Sequence, residues 1–246
     1  MKLSAEGICI GYHGEPILRD FHLQVNEGEF VSVVGPSGCG KSTLLNLIAG
    51  LLPRERGQVL VDGTEISGTS TRFSLMPQDD LLLPWMTVLE NVCLYGKVHG
   101  GLKSLQSRAL ENLTTFGLNG YENRYPHELS GGMRQRAAFL RTALCPADIL
   151  LLDEPFASLD VITREDLQDW LLQMRQELGR TVVLVTHDID EAIYLSDRVL
   201  VLGGRPAEIR LEQTIKTHGR NRAWLFAQSD LRQALYTALK EGRDDF

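Results

Sequence analysis

The four cysteines, Cys9, Cys39, Cys93 and Cys145, form no CxxC pair and match no metal-ligand spacing. That excludes a zinc ribbon or a disulfide framework and fits free thiols in a reducing compartment. No stretch reaches 18 consecutive apolar residues, and the opening Met1-Lys2-Leu3-Ser4-Ala5-Glu6 has no apolar core of a leader, so the expectation is a chain that does not cross a membrane by itself. Positive charge is in deficit, 25 Lys and Arg against 32 Asp and Glu, and a net charge of −7 disfavours nucleic acid as the main partner. Internal repeats, low-complexity tracts and blocks of like charge are all missing. What remains is a chain of 246 residues, 43% hydrophobic and 23% charged, which is ordinary globular usage and ample for a core without staples.

Short β-branched or leucine-rich runs alternate with helical patterns: Phe30 to Val34, Val59 to Val61, Ile149 to Leu152, Thr181 to Val185 and Val199 to Leu202. Continuous apolar runs of this length suit strands covered on both faces. Asp62-Gly63 is a two-residue hairpin signal, so antiparallel pairing should accompany the parallel strands. Between Val161 and Leu178, the residues Leu167, Trp170, Leu171, Met174 and Leu178 share one helical face, and Gly179 follows as a stop. Strand signals vanish from about Leu81 to Leu144, which reads as a helical insertion. After Arg205-Pro206 comes a tail whose Ala223 to Leu239 stretch reads as one amphipathic helix, with no evident chemistry. The expected organisation is a single domain: a core from 1–80 and 146–205, a helical subdomain from 81–145, and a tail from 206–246.

Gly35-Pro36-Ser37-Gly38-Cys39-Gly40-Lys41-Ser42-Thr43 fits GxxxxGK[ST], follows an apolar strand and opens an apolar helix. Glycines at these positions let successive N–H groups face an anion, the helix start adds partial positive charge, Lys41 reaches terminal phosphates and Ser42 offers a hydroxyl to Mg²⁺. Ile149 to Leu152 delivers Asp153-Glu154 to a strand end, with their side chains expected on opposite faces. Asp153 can then hold Mg²⁺ beside Ser42, and Glu154 can orient and deprotonate a water that attacks the γ-phosphate. His187 ends another strand, with Asp188 placed to cap the next helix. A lone histidine carries little information, so its role waits on its neighbours. Ser130-Gly131-Gly132 caps a helix running to Leu144; it is either a plain capped start or a second anion-binding end. Cys39, inside the phosphate loop, should lose ATP binding when alkylated.

Leu129-Ser130-Gly131-Gly132-Met133-Arg134-Gln135-Arg136, lying between the phosphate loop and the Asp153 strand, resembles the signature motif of ABC ATPases. Over roughly residues 1–205, Tyr12 is similar in position to the aromatic that stacks on adenine, Gln78 to the Q-loop glutamine that joins Mg²⁺, Ser158-Leu159-Asp160 to the D-loop, and His187 to the switch histidine. The resemblance implies an α/β P-loop NTPase fold: a mixed sheet, a small antiparallel portion and an inserted α-helical subdomain. It implies ATP and Mg²⁺ as cofactors, and a head-to-tail homodimer in which ATP lies between Lys41's loop and the other copy's Ser130 to Gly132. Met133 departs from the usual Gln, and Phe156-Ala157-Ser158 from the Phe-Gly-Ala of the nearest subgroup.

That subgroup, importers of nitrate, sulfonate and taurine, is resembled most by Met76 to Trp85 and by Thr186 to Ala192, and pyrimidine vitamin-precursor importers share these motifs. The function implied is an ATPase motor subunit, peripheral on the cytoplasmic face of the cell membrane. Its implied partners are a membrane-spanning permease and, indirectly, a solute-binding protein. Leu83, Trp85, Met86 and Val88 either line a groove for the permease or form subdomain core. The rival readings are a soluble ABC ATPase not coupled to transport and a small-metabolite kinase. The first usually needs coiled coils, a second cassette or basic surfaces, and the second needs neither Ser130 nor His187.

Overall fold

The structure, a computed structural model, describes residues 1–217 and 219–244, with the side chains of Leu178 and Asp244 also outside the described set. The chain opens with a hairpin of β1 (Leu3–Tyr12) and β2 (Glu15–Val25), turned by His13 and Gly14 with φ of 54° and 86°. The buried residues of β2 skip along it at Leu18, Phe21, Leu23 and Val25, as suits a sheet with one wet face. Then come β3 (Phe30–Val34), α1 (Lys41–Ile48), β4 (Arg56–Val61), β5 (Thr64–Glu65) and β6 (Phe73–Met76). Asp62 and Gly63 both have positive φ, as a tight hairpin between β4 and β5 demands.

The middle of the chain is helical: α2 (Val88–Val92), α3 (Leu94–His99), α4 (Leu102–Leu113) and α5 (Gly131–Leu144). Thr87 starts α2 with a reciprocal capping box to Glu90, and Ser130 starts α5 by accepting from the Met133 amide at 3.3 Å. The rest comprises β7 (Ile149–Asp153), α6 (Val161–Leu178), β8 (Thr181–Val185), α7 (Ile189–Leu195), β9 (Arg198–Gly203), β10 (Glu208–Thr214), α8 (Arg222–Phe226) and α9 (Ser229–Asp244). On α6, Leu167, Leu171 and Met174 are buried, Trp170 is partly buried, and Gly179 ends the helix in the left-handed conformation.

Parallel and antiparallel pairing largely segregate into two sheets. One is antiparallel, in the order β2-β1-β4-β5; the other runs β10-β9-β3-β8-β7-β6 and is parallel except at β10. Every residue of β3, β7 and β8 is buried, and apolar clusters lie on both faces of the second sheet. Four strands carried too weak a signal to be expected: β1, β2 and β10 mix charges with apolar residues, and β6 is four residues long. The Ala223 to Leu239 stretch is two helices and not one, since α8 stops at Phe226 and Asn221 caps it through the Trp224 amide. The tail is built into the fold, with β10 extending the sheet and α9 packing on β9.

Candidate functional site

Parallel registry gathers the expected site residues at one sheet edge. Asp153 pairs with Val185, Val33 with the same Val185, and Met76 with Leu152. The loops leaving β3, β7, β8 and β6 therefore emerge together, and they carry Gly35 to Gly40, Glu154, His187 and Gln78. This carboxyl edge is where open α/β sheets bind ligands.

The Gly35 to Thr43 segment wraps the start of α1, which has no capping side chain and no acidic residue in its first turn. Its leading amides thus lack side-chain partners and stand ready for an anion. Gly40 sits at φ 105°, and a Cβ there would meet Ile17 Cγ2 at 2.6 Å, so the β1–β2 hairpin presses on the loop where only glycine fits. Lys41 is 7% exposed, and its Nζ donates to the carbonyls of Gly35 and Pro36 at 2.8 and 2.9 Å. The ammonium is folded onto its own loop, and phosphate oxygens would compete with those carbonyls for it. Ser37, Gly38 and Ser42 are exposed along the loop. Cys39 departs from its expected placement: its thiol is 2% exposed in the apolar cluster under the loop, and burial pushes its pKa up. Only its backbone belongs to the cradle.

Asp153 is almost wholly buried, and burial raises its pKa, while the Ser42 hydroxyl and the Lys41 charge pull it back. Its Oδ1 is buried with no hydrogen-bond partner among the described residues. An orphaned carboxylate oxygen beside a serine hydroxyl is a donor set that suits a hard cation such as Mg²⁺. Among the described residues no group of three or more His, Cys, Asp or Glu could hold a metal, so such a cation would need nucleotide phosphates as further ligands.

The regular strand ends at Asp153. Glu154 adopts φ 50°, a conformation costly for a residue with a side chain, and its amide donates to the Val185 carbonyl at 2.9 Å. Its Oε2 lies 3.1 Å from His187 Nδ1. A carboxylate only accepts, so a hydrogen bond at this contact would be donated by Nδ1. His187 is largely exposed, and exposed pairs of this kind contribute about 0–1 kcal/mol, so the contact is easily exchanged for another. Asp188 caps α7 as expected, accepting from the Asp190 and Glu191 amides at 2.8 and 3.1 Å.

Gln78 is exposed beyond β6, and Tyr12, 46% exposed, ends β1 at the hairpin whose Ile17 abuts Gly40. Ser130, Gly131 and Gly132 stand apart: among the described residues no hydrogen bond or ion pair joins them to the phosphate loop, and a Cβ on Gly132 would lie 3.5 Å from the Ser158 carbonyl. Val88 is core, whereas Trp85 is 70% exposed, Leu83 and Met86 are half-buried, and Leu81, which the sequence did not single out, is 61% exposed.

Sequence reasoning also missed the residues that fix these loops. Fully buried Asn91 brackets residues 83–87 through Leu83, Met86 and Thr87. Arg134 and Arg141 of α5 hold Asp80 and Leu81 just past Gln78. Such arginines and asparagines look like solvated polar positions until the fold places a carbonyl in front of them.

The ABC transporter family model matches residues 18–157. The taurine import ATP-binding protein TauB of Yersinia pestis bv. Antiqua is 42% identical over 209 residues, 84% of this chain and 82% of that one. The aliphatic sulfonates import ATP-binding protein SsuB 2 of Burkholderia cenocepacia is 46% identical over 198 residues, 80% of this chain and 72% of that one. Among solved structures, an ATP-binding cassette captured as a dimer after hydrolysis, with ADP and Pi bound, superposes with a TM-score of 0.78 at 32% identity, covering 87% of this chain and 99% of that one.

Proposed function

This chain belongs to the ABC transporter family, and from that premise we propose that it is the ATP-hydrolysing motor subunit of an importer for taurine- or sulfonate-like solutes. Two copies clamp ATP between the Gly35–Thr43 loop of one and Ser130 to Gly132 of the other, and the clamp drives a separate permease. The exposure of Ser130 and its separation from Lys41 support that division, since each copy then presents half of a site. The subunit sits peripherally on the cytoplasmic face of the cell membrane: no helix among the described residues is long and apolar enough to cross one. Exposed Leu81 and Trp85, with half-buried Leu83 and Met86, form the surface offered to the permease. A solute-binding protein completes the system, and nucleic acid has no part in it.

The observation that carries this reading is the convergence of the lysine cradle, the orphaned Asp153 oxygen and the Glu154–His187 pair on one sheet edge. Residues 1–80 and 146–205 supply this nucleotide edge, 81–145 supply Ser130 to Gly132, and the segment 206–246 braces the sheet. Tyr12 stacks on the adenine, the loop amides and Lys41 hold the phosphates, and Ser42, Asp153 and Gln78 hold Mg²⁺. That ion, when bound, neutralises charge on the phosphate oxygens. Glu154 takes the proton from the attacking water as its contact to His187 is exchanged, and His187 Nε2 faces the γ-phosphate or that water.

Glu154→Gln should keep ATP binding and lose about 10²–10⁴ in turnover. Near-normal hydrolysis would remove Glu154 from that role. Purification of the tagged chain from native membranes should bring a multi-span permease with it, whereas its consistent absence would favour the soluble ATPase reading.

A further inference from the structure

Arg164, near the start of α6, touches two loops of the catalytic edge at once. Its Nη2 donates to the Leu159 carbonyl at 3.3 Å, and its Nη1 donates to Asp188 Oδ2 at 3.5 Å. Its Nε lies 3.8 Å from Glu191 Oε1 and has no hydrogen-bond partner among the described residues. The backbone around His187 is fixed in turn to these acids. The Thr186 hydroxyl donates to Glu191 Oε2 at 2.6 Å and accepts from the Asp188 amide at 3.0 Å, and Asp188 also caps α7. The residues before and after the histidine are therefore clamped, while its ring meets Glu154. On the other side, Leu159 is buried, and the carbonyl of its neighbour Ser158 abuts Gly132.

We propose that Arg164 is a positioning residue for hydrolysis, tying the 158–160 loop to the 186–188 loop so that the two move as one body and keep the His187 backbone in place beside Glu154. This rests on the roles given to Glu154 and His187 above. Because the 158–160 loop borders Gly132, contact with a second copy at that surface is felt at the histidine through a single side chain. A guanidinium is well matched to such a tie, since its planar fork donates to oxygens on the two loops in fixed directions, which a lysine ammonium cannot do.

The test measures ATP turnover and ATP affinity of the full-length chain, in its membrane complex if the free chain turns over too slowly. Arg164→Ala should lower kcat by about 10- to 100-fold, the cost of a small misplacement of a reacting group, with Kd for ATP changed by less than about twofold. Arg164→Lys should recover part of the rate. In a His187→Ala background, Arg164→Ala should cost nothing further, since it acts through that histidine.

A kcat near wild type, a rate loss matched by lost ATP affinity, or an undiminished cost in the His187→Ala background would each overturn the proposal. If Arg164→Ala does not fold, Asp188→Asn decides by the same readouts, because its side-chain oxygen still caps α7 while the charge facing Arg164 is gone. Full turnover in His187→Ala alone would strike at the role of the histidine itself, and so separates failure of the site reading from failure of the Arg164 tie.

Discussion

Replacing Glu191 by Gln should make the protein more stable at pH 8 and leave it little changed at pH 5. Glu191 is 6% exposed, and burial pushes its carboxyl from 4.5 up to about 7, against the pull of the Thr186 hydroxyl and with a further push from Asp188. Arg164 and His187 act in the opposite sense, favouring the charged form. Asp190, next along α7, is engaged by Arg232 of α9 at 2.5 Å.

The native state binds the proton more tightly than the unfolded chain, so stability falls as pH rises from about 4.5 through about 7 and is flat beyond. Moving a carboxyl over that interval corresponds to about 3 kcal/mol at 1.36 kcal/mol per pH unit. Gln has the same shape, still accepts from Thr186 and never ionises. Urea unfolding of wild type and Glu191→Gln between pH 5 and pH 8 should give curves less than about 1 kcal/mol apart at pH 5 and about 3 kcal/mol apart at pH 8. Parallel curves, or a mutant less stable at pH 8, would refute the burial argument.

Cys39 should resist alkylation in the native protein and label well after Cys9, whose thiol is partly exposed; peptide mapping after brief maleimide treatment checks this, and equal labelling would place the Cys39 thiol in the cradle. Gly38 and Gly40 both have positive φ, but only Gly40 has a neighbour in the way. Gly38→Ala should therefore cost about 1–2 kcal/mol of backbone strain, while Gly40→Ala adds a clash of about 1–3 kcal/mol and weakens ATP binding, as read by denaturant midpoints and nucleotide titration. Trp85→Ser should leave the unfolding free energy within about 0.5 kcal/mol and reduce recovery of the membrane partner; unchanged recovery would move the docking surface elsewhere.

The central strands were legible because burial on both faces leaves unbroken apolar runs such as Ile149 to Leu152 and Thr181 to Val185. The caps Ser130 and Asp188 were legible because they act within three residues of themselves. What stayed hidden depends on partners far away in sequence. Ile17 decides that Gly40 must be glycine, and Val185 of β8 pairs with the Glu154 amide just past the end of β7. Arg164 meets Asp188 only because α6 lies against α7. The outer strands β1 and β2 were unreadable for a related reason: their register shifts break the two-residue alternation that would have announced them.

The seating of α9 on the sheet has a consequence for the outline of the molecule. Gly203 of β9 and Gly242 of α9 meet main chain to main chain: a Cβ on Gly242 would fall 2.9 Å from the Gly203 Cα, and the Gly204 amide donates to the Gly242 carbonyl at 3.1 Å. A methyl at either position wedges α9 off β9, the strand that also carries β10. The seam between helix and sheet therefore tolerates nothing wider than a hydrogen atom at these two glycines.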